Sequence, residues 1–135
     1  YGFVGDVKRV NTDLLASLIH QGVVPVMAPL THDGAGHLLN TNADTVASAV
    51  SSALSAKLYY CFEKNGVLYD KFDDASVIPL IDREKFEELK AEGVIADGML
   101  PKIENAFKAL DEGSCEVVIK NSDALLEDSG TRICK

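Results

Sequence analysis

Residues Val23–Leu54 read VVPVMAPLTHDGAGHLLNTNADTVASAVSSAL. The unbroken apolar run Val23–Leu30 reads as a strand buried on both faces, with Pro25 marking its start or an irregularity. Asp33-Gly34 and Gly36 make a turn, and Leu38–Asn40 a short return strand. Asn42 to Asp44 then open a helix that runs to about Leu54. Its alanines, serines and valines put small side chains on every face, so close packing on both sides is expected. Strand, turn, strand and helix in this order point to an α/β fold.

The same grammar continues in both directions. Upstream, Gly2–Val10 suggests a hairpin or edge strands. Asn11 or Thr12 caps a helix with Leu14, Leu15, Leu18 and Ile19 at helical spacing, and Gly22 ends it. Downstream, Lys57–Glu63 is a strand, Lys64-Asn65-Gly66 a turn and Val67–Tyr69 a short extension. Ser76–Leu80 reads as a strand. Asp82 caps a charged helix, Arg83–Glu92, stopped by Gly93. Asp97-Gly98 leads into a helix with an apolar stripe of Met99, Ile103, Ala106, Phe107 and Leu110. Pro101 is tolerated in its first turn, and Gly113 ends it. Glu116–Lys120 and Thr131–Cys134 are the last strands. The alternation predicts a mostly parallel sheet covered on both faces. Ligands in such sheets bind at the carboxyl ends of strands, near helix amino-termini.

At 135 residues the chain suits one domain. Apolar content of 47% and charged content of 25% are those of an ordinary globular domain. No apolar run has the ~20 residues that span a bilayer. The net charge of −8 argues against sequence-independent nucleic-acid binding, and leaves any anionic ligand to lysines, helix amino-termini and a metal ion. Cys61, Cys115 and Cys134 form no CxxC pair, so they read as reduced cysteines of a cytosolic protein, Cys61 and Cys115 in the core. The first residue is Tyr1 and not methionine, so the chain is expected to begin inside a longer reading frame or to have been cut.

Three segments can carry chemistry. In Leu39–Asp44, two amides and a carboxylate stand between a strand and a helix. Asn40 and Asn42 have the donors for a substrate carboxylate, and Asp44 can orient a lysine; an N-cap with an Asx turn is the plain alternative. In Gly93–Lys102, a glycine-bearing loop enters a helix whose first turn carries Lys102. Backbone N–H groups there attract phosphate, and a lysine opposes the helix macrodipole unless it meets an anion; the plain alternative is a solvated surface lysine. In Glu63–Leu68, a turn at the end of a strand can cover a nucleotide, or be only a turn. No GxxxxGK[ST] sequence is present. His20, His32 and His37 lack the spacing of metal ligands or of a base beside a nucleophile. Ser51, Ser52 and Ser55 lack a GxSxG context.

Taken in order, these segments resemble the amino-acid kinase family, and within it the members that phosphorylate an N-acylated glutamate. DGAGHLLNTNAD matches D-x-x-G-x-x-x-N-x-N-A-D. EKNGVLYD is similar to the nucleotide-covering turn D-V-x-G-V-L, with Glu63 where the family usually has aspartate. GVIADGMLPK matches G-[VI]-[IV]-x-x-G-M-x-x-K, and SGTRICK the terminal G-T-x-[IV] strand. The likeness spans nearly the whole chain.

It implies a three-layer αβα sandwich around a mostly parallel sheet, with the amino-terminal half absent. Residues 1–55 would end the acyl-glutamate-binding half and residues 56–135 would form the nucleotide-binding half. The implied reaction is ATP-dependent phosphorylation of the side-chain carboxylate of N-acetyl- or N-succinyl-glutamate, with Mg²⁺, in arginine biosynthesis. By the resemblance Asn40 binds the substrate's α-substituents with Asn42 in support, Asp44 holds the catalytic lysines, and Lys102 neutralises the transferring phosphoryl group. Glu63, Lys64, Asn65, Gly66, Val67 and Leu68, with Val94, Ile95, Ala96, Gly98 and Met99, would contact the nucleotide. No protein metal ligand is implied; a homodimer in the cytoplasm is. The family's amino-terminal lysine, glycine-rich phosphate loop and substrate-binding arginine would precede Tyr1, so this chain alone is expected to be inactive. A non-catalytic nucleotide-binding module, and a kinase for aspartate or carbamate, are the alternative readings.

Overall fold

The computed structural model describes residues 2–96 and 98–135. Tyr1, and Asp97 in the loop expected to lead into a helix, lie outside the described residues. Helix α1 (Thr12–His20) starts where Asn11 Oδ1 accepts the Leu14 backbone N–H at 3.1 Å. Strands β1 (Leu30–His32) and β2 (Leu38–Asn40) pair antiparallel around the glycine turn, Leu30 opposite Asn40. The Asp33 carboxylate closes that turn by accepting the Ala35 N–H at 2.7 Å. Helix α2 (Ala43–Leu54), strands β3 (Lys57–Phe62) and β4 (Leu80–Ile81), and helices α3 (Arg83–Ala91) and α4 (Met99–Glu112) follow. Strands β5 (Glu116–Asn121) and β6 (Thr131–Ile133) complete the chain.

The second sheet has the order β3-β5-β6-β4. β3 runs parallel to β5 and β4 parallel to β6, while β5 and β6 are antiparallel. This is a mixed, mostly parallel sheet flanked by helices. One face presents Leu58, Tyr60, Val117, Ile119, Ile81 and Ile133 to the core. Against them lie Ile103, Ala106, Phe107 and Leu110 of α4, the stripe legible in the sequence, and Phe86 and Leu89 of α3. Each valine, leucine, isoleucine or phenylalanine among them stabilises the fold by about 1.5–3 kcal/mol on burial. Helix α2 lies close to α4 because its serines bond the α4 backbone: Ser48 Oγ donates to Asn105 O (3.4 Å) and Ser52 Oγ to Ala109 O (3.1 Å). On the opposite face, residues 122–130 fold over Val118 and Lys120, and the buried Lys120 Nζ donates to Leu125 O (3.2 Å) and Glu127 O (2.6 Å).

Several expectations are corrected. Val23–Leu30 is not a buried strand: only its last residue is in β1, and Val24 and Val26 are 82% and 94% exposed. Pro25 and Pro29 each remove a ladder donor, and among the described residues no strand pairs with Val23–Ala28. Gly2–Val10 forms no hairpin; Val4 makes one parallel bridge to Asn40, so only the edge role survives. Ser76–Leu80 narrows to a Leu68–Val77 bridge and the two residues of β4. Cys61 and Cys115 are exposed rather than core residues. Strand alternation explains Cys61: Leu58 and Tyr60 take the core face, and Tyr59 and Cys61 the other. No helix of the described residues is long and apolar enough to cross a membrane.

Candidate active site

Two helix amino-termini and the carboxyl end of β3 converge on one place. Asn42 caps α2, its Oδ1 accepting the Thr45 N–H at 3.1 Å. That fixes Asp44 in the first turn, where a carboxylate is favoured by the macrodipole. Helix α4 begins after Gly98 with neither a side-chain cap nor an acidic residue in its first turn. Lys102 sits there against the macrodipole, and its Nζ lies 2.8 Å from Asp44 Oδ2, from a residue 58 positions away. The two side chains are only 20% and 31% exposed, so Lys102 is not a solvated surface lysine. Beneath them, Tyr60 is buried, and its hydroxyl donates to the Asp44 backbone carbonyl at 3.1 Å. The Lys102 Nζ is 4.9 Å from the centre of the Tyr60 ring. Burial first, and then the Asp44 carboxylate, push the Tyr60 phenol well above its ordinary value, so it stays a hydrogen-bond donor.

One helical turn before Lys102, Met99 lines a cavity of about 620 Å³. Lys64, Gly66, Val67 and Leu68 line one side of it, and Val94 and Ala96 another. Thus two segments singled out separately in the sequence face one space. Gly66 is required at that rim: a Cβ there would stand 2.8 Å from Thr131 Oγ1 and 3.0 Å from Val77 Cγ1. The buried Thr131 hydroxyl accepts the Val67 N–H at 2.8 Å and donates to Ile78 O at 2.6 Å. It ties the turn to β6 and to the approach to β4.

The other candidates sit differently. Glu63 and Asn65 do not line the cavity; the Asn121 side-chain amide donates to Glu63 O (3.1 Å) and Asn65 Oδ1 (3.3 Å). The Ile95 side chain is buried in the core. Gly98 is exposed and opens α4. Asn40 uses its backbone to pair with β1 and to bond Gly5 and Phe3, and it is exposed. Sequence reasoning passed over Tyr60, and also Tyr69, Lys71 and Phe72, which line the same cavity. Tyr60 carried a signal, an aromatic on the core-facing register of β3.

A second cavity, of about 820 Å³, lies on the opposite sheet face, and none of the sequence candidates lines it. Its charges are largely paired: Glu116 lies 2.8 Å from Lys57 Nζ and 3.2 Å from the Arg132 guanidinium. The Lys57 hydrogen bond, more than any other contact, holds the Glu116 carboxyl below its ordinary value.

The paired lysine and carboxylate, the two helix starts and the adjoining cavity are an arrangement suited to binding and neutralising phosphate. The family model described as the amino acid kinase family matches residues 2–121.

The chain belongs to the amino-acid kinase family.

It is 60% identical to the acetylglutamate kinase of Bacteroides thetaiotaomicron over 139 aligned positions, covering 100% of this chain and 54% of the relative. It is also 60% identical to the acetylglutamate kinase of Bacteroides fragilis, covering 100% and 53%. Among solved structures, smu.665 from Streptococcus mutans matches with a TM-score of 0.83 and 36% identity, over 98% of this chain and 51% of that one. This amino-acid kinase chain therefore spans about half the length of the relatives it matches.

Proposed function

We propose that this chain is the nucleotide-binding part of an ATP-dependent kinase that phosphorylates the side-chain carboxylate of an N-acyl-L-glutamate, in arginine biosynthesis. The observation that carries this reading is the 2.8 Å Lys102–Asp44 pair, one helical turn from a cavity lined by Lys64, Gly66, Val67, Leu68, Val94, Ala96 and Met99. The γ-phosphoryl group lies toward Lys102, whose ammonium neutralises charge on the equatorial oxygens as they leave ADP. Asp44 holds that ammonium in place. An ionised carboxylate is already a nucleophile, so the acceptor needs no general base. Asn40 and Asn42 lie on the Asp44 side and serve the acyl-glutamate; residues 1–55 belong to that half and 56–135 to the nucleotide half.

Mg²⁺ accompanies ATP in this reading. Among the described residues no group of three His, Cys, Asp or Glu side chains is placed to hold a metal ion. A nucleotide-borne Mg²⁺ relies mainly on phosphate oxygens and water, and no step here is assigned to it. A cytoplasmic homodimer is part of the same reading, and light scattering of the intact protein checks the dimer. Coupled ADP-release assays with N-acetyl- and N-succinyl-glutamate test the reaction and choose the acyl group. ADP release dependent on one of them supports the proposal. Release dependent only on aspartate or carbamate, or nucleotide binding without turnover of any of them, overturns it.

A further inference from the structure

The Lys102–Asp44 pair rests on a third side chain that the motifs do not include. Tyr60 is 4% exposed and contacts both members. Its hydroxyl donates to the backbone carbonyl of Asp44 at 3.1 Å, which pins the first turn of α2 to β3. Its ring face lies 4.9 Å below the Lys102 ammonium, within the ~6 Å range of a cation–π contact. A lysine in the first turn of a helix is pushed outward by the macrodipole, and its long stem has many rotamers. The salt bridge to Asp44 restrains one direction; the ring floor restrains another. We propose that Tyr60 is a positioning residue that sets where the Lys102 charge stands, through its ring, and where Asp44 stands, through its hydroxyl. This inference rests on the assignment of Lys102 to the transferring phosphoryl group. An aliphatic residue at position 60 would keep the position apolar, yet would leave Lys102 with Asp44 alone and release the restraint on the ammonium.

The test separates the ring from the hydroxyl and both from packing, using the intact protein. Tyr60→Phe keeps the floor and loses the pin; kcat is expected to fall by about 2- to 10-fold, the loss of one neutral hydrogen bond. Tyr60→Leu loses both; kcat is expected to fall about 3- to 30-fold below that of Tyr60→Phe, the range of a cation–π contact, with KM for ATP little changed. A series of phenylalanines at position 60 carrying one, two and three ring fluorines holds size nearly constant while draining the ring's negative face. It keeps the test valid even where Tyr60→Leu fails to fold. The expected result is a stepwise fall in kcat along the series, and a flat kcat overturns the proposal. The Lys102 ε-methylene resonance, read by selective ¹³C labelling, is expected upfield through the Tyr60 ring current and moves downfield in Tyr60→Leu but not in Tyr60→Phe. An unmoved resonance also overturns it. This second readout needs no turnover. A Lys102 signal that responds to Tyr60 in a protein that makes no acyl phosphate sinks the kinase reading alone.

Discussion

Thr131→Val probes the strap that joins the candidate nucleotide turn to the sheet. Valine nearly reproduces the shape of threonine, so packing around this fully buried residue is retained. The hydroxyl's two partners are not. The Val67 N–H, now 2.8 Å from Oγ1, loses its acceptor, and the Ile78 carbonyl, at 2.6 Å, loses its donor. A buried polar group left unpaired costs about 1–3 kcal/mol. Two of them give an expected destabilisation of about 2–6 kcal/mol, against a total stability of about 5–15 kcal/mol for a domain. Thr131→Ser keeps both hydrogen bonds and loses one methyl group, about 1 kcal/mol. Urea unfolding followed by circular dichroism reads both variants, with the midpoint shifting and the slope unchanged if only native stability is altered. The reasoning is refuted if Thr131→Val lies within about 0.5 kcal/mol of wild type, or if Thr131→Ser is the less stable of the two.

Gly66→Ala forces a Cβ to within 2.8 Å of that same hydroxyl and 3.1 Å of the Thr131 backbone nitrogen. It should cost about 1–3 kcal/mol as an overpacked site and weaken ATP binding, measured by calorimetry; unchanged stability and affinity would contradict the close approach. Glu116 has a depressed folded-state pKa, so its contribution to stability is present above the ordinary glutamate value of 4.5 and is lost as pH falls through the lower folded value. Glu116→Gln should therefore be less stable than wild type at about pH 7, with the difference closing as pH falls below 4.5 and through the lower folded value; a difference that does not change with pH rules out the Lys57–Glu116–Arg132 network as its source.

The later two-thirds of the chain was legible because each cue was local. Asp82 and Asn42 read as caps and are caps, and the Met99–Leu110 stripe marks the buried face of α4. The elements that failed depend on neighbours. An apolar composition gives VVPVMAPL reason to be covered, but pairing requires a strand edge beside it, and two prolines remove donors from whatever ladder forms. Cys61 reads as core from its apolar run; the pleat instead sends its neighbour Tyr60 inward and Cys61 outward. Lys120 shows the converse. Nothing in its immediate sequence reveals a buried lysine, because its acceptors are carbonyls of a loop that folds back over the sheet. At the site, residue types were readable locally, but that Asp44 holds a catalytic lysine was implied only by the family resemblance: Asp44 and Lys102 come together through the packing of α2 against α4.

The meeting of Lys102 with Asp44 is addressed directly by one measurement. Intact wild-type protein and the Lys102→Ala variant are incubated with ATP, Mg²⁺ and N-acetyl- or N-succinyl-glutamate, and the acyl phosphate is trapped with hydroxylamine. Hydroxamate is expected from the wild type with one of the two acceptors, and a fall of about 100-fold or more in kcat for the variant. Hydroxamate formed by Lys102→Ala at the wild-type rate would contradict the role assigned to Lys102.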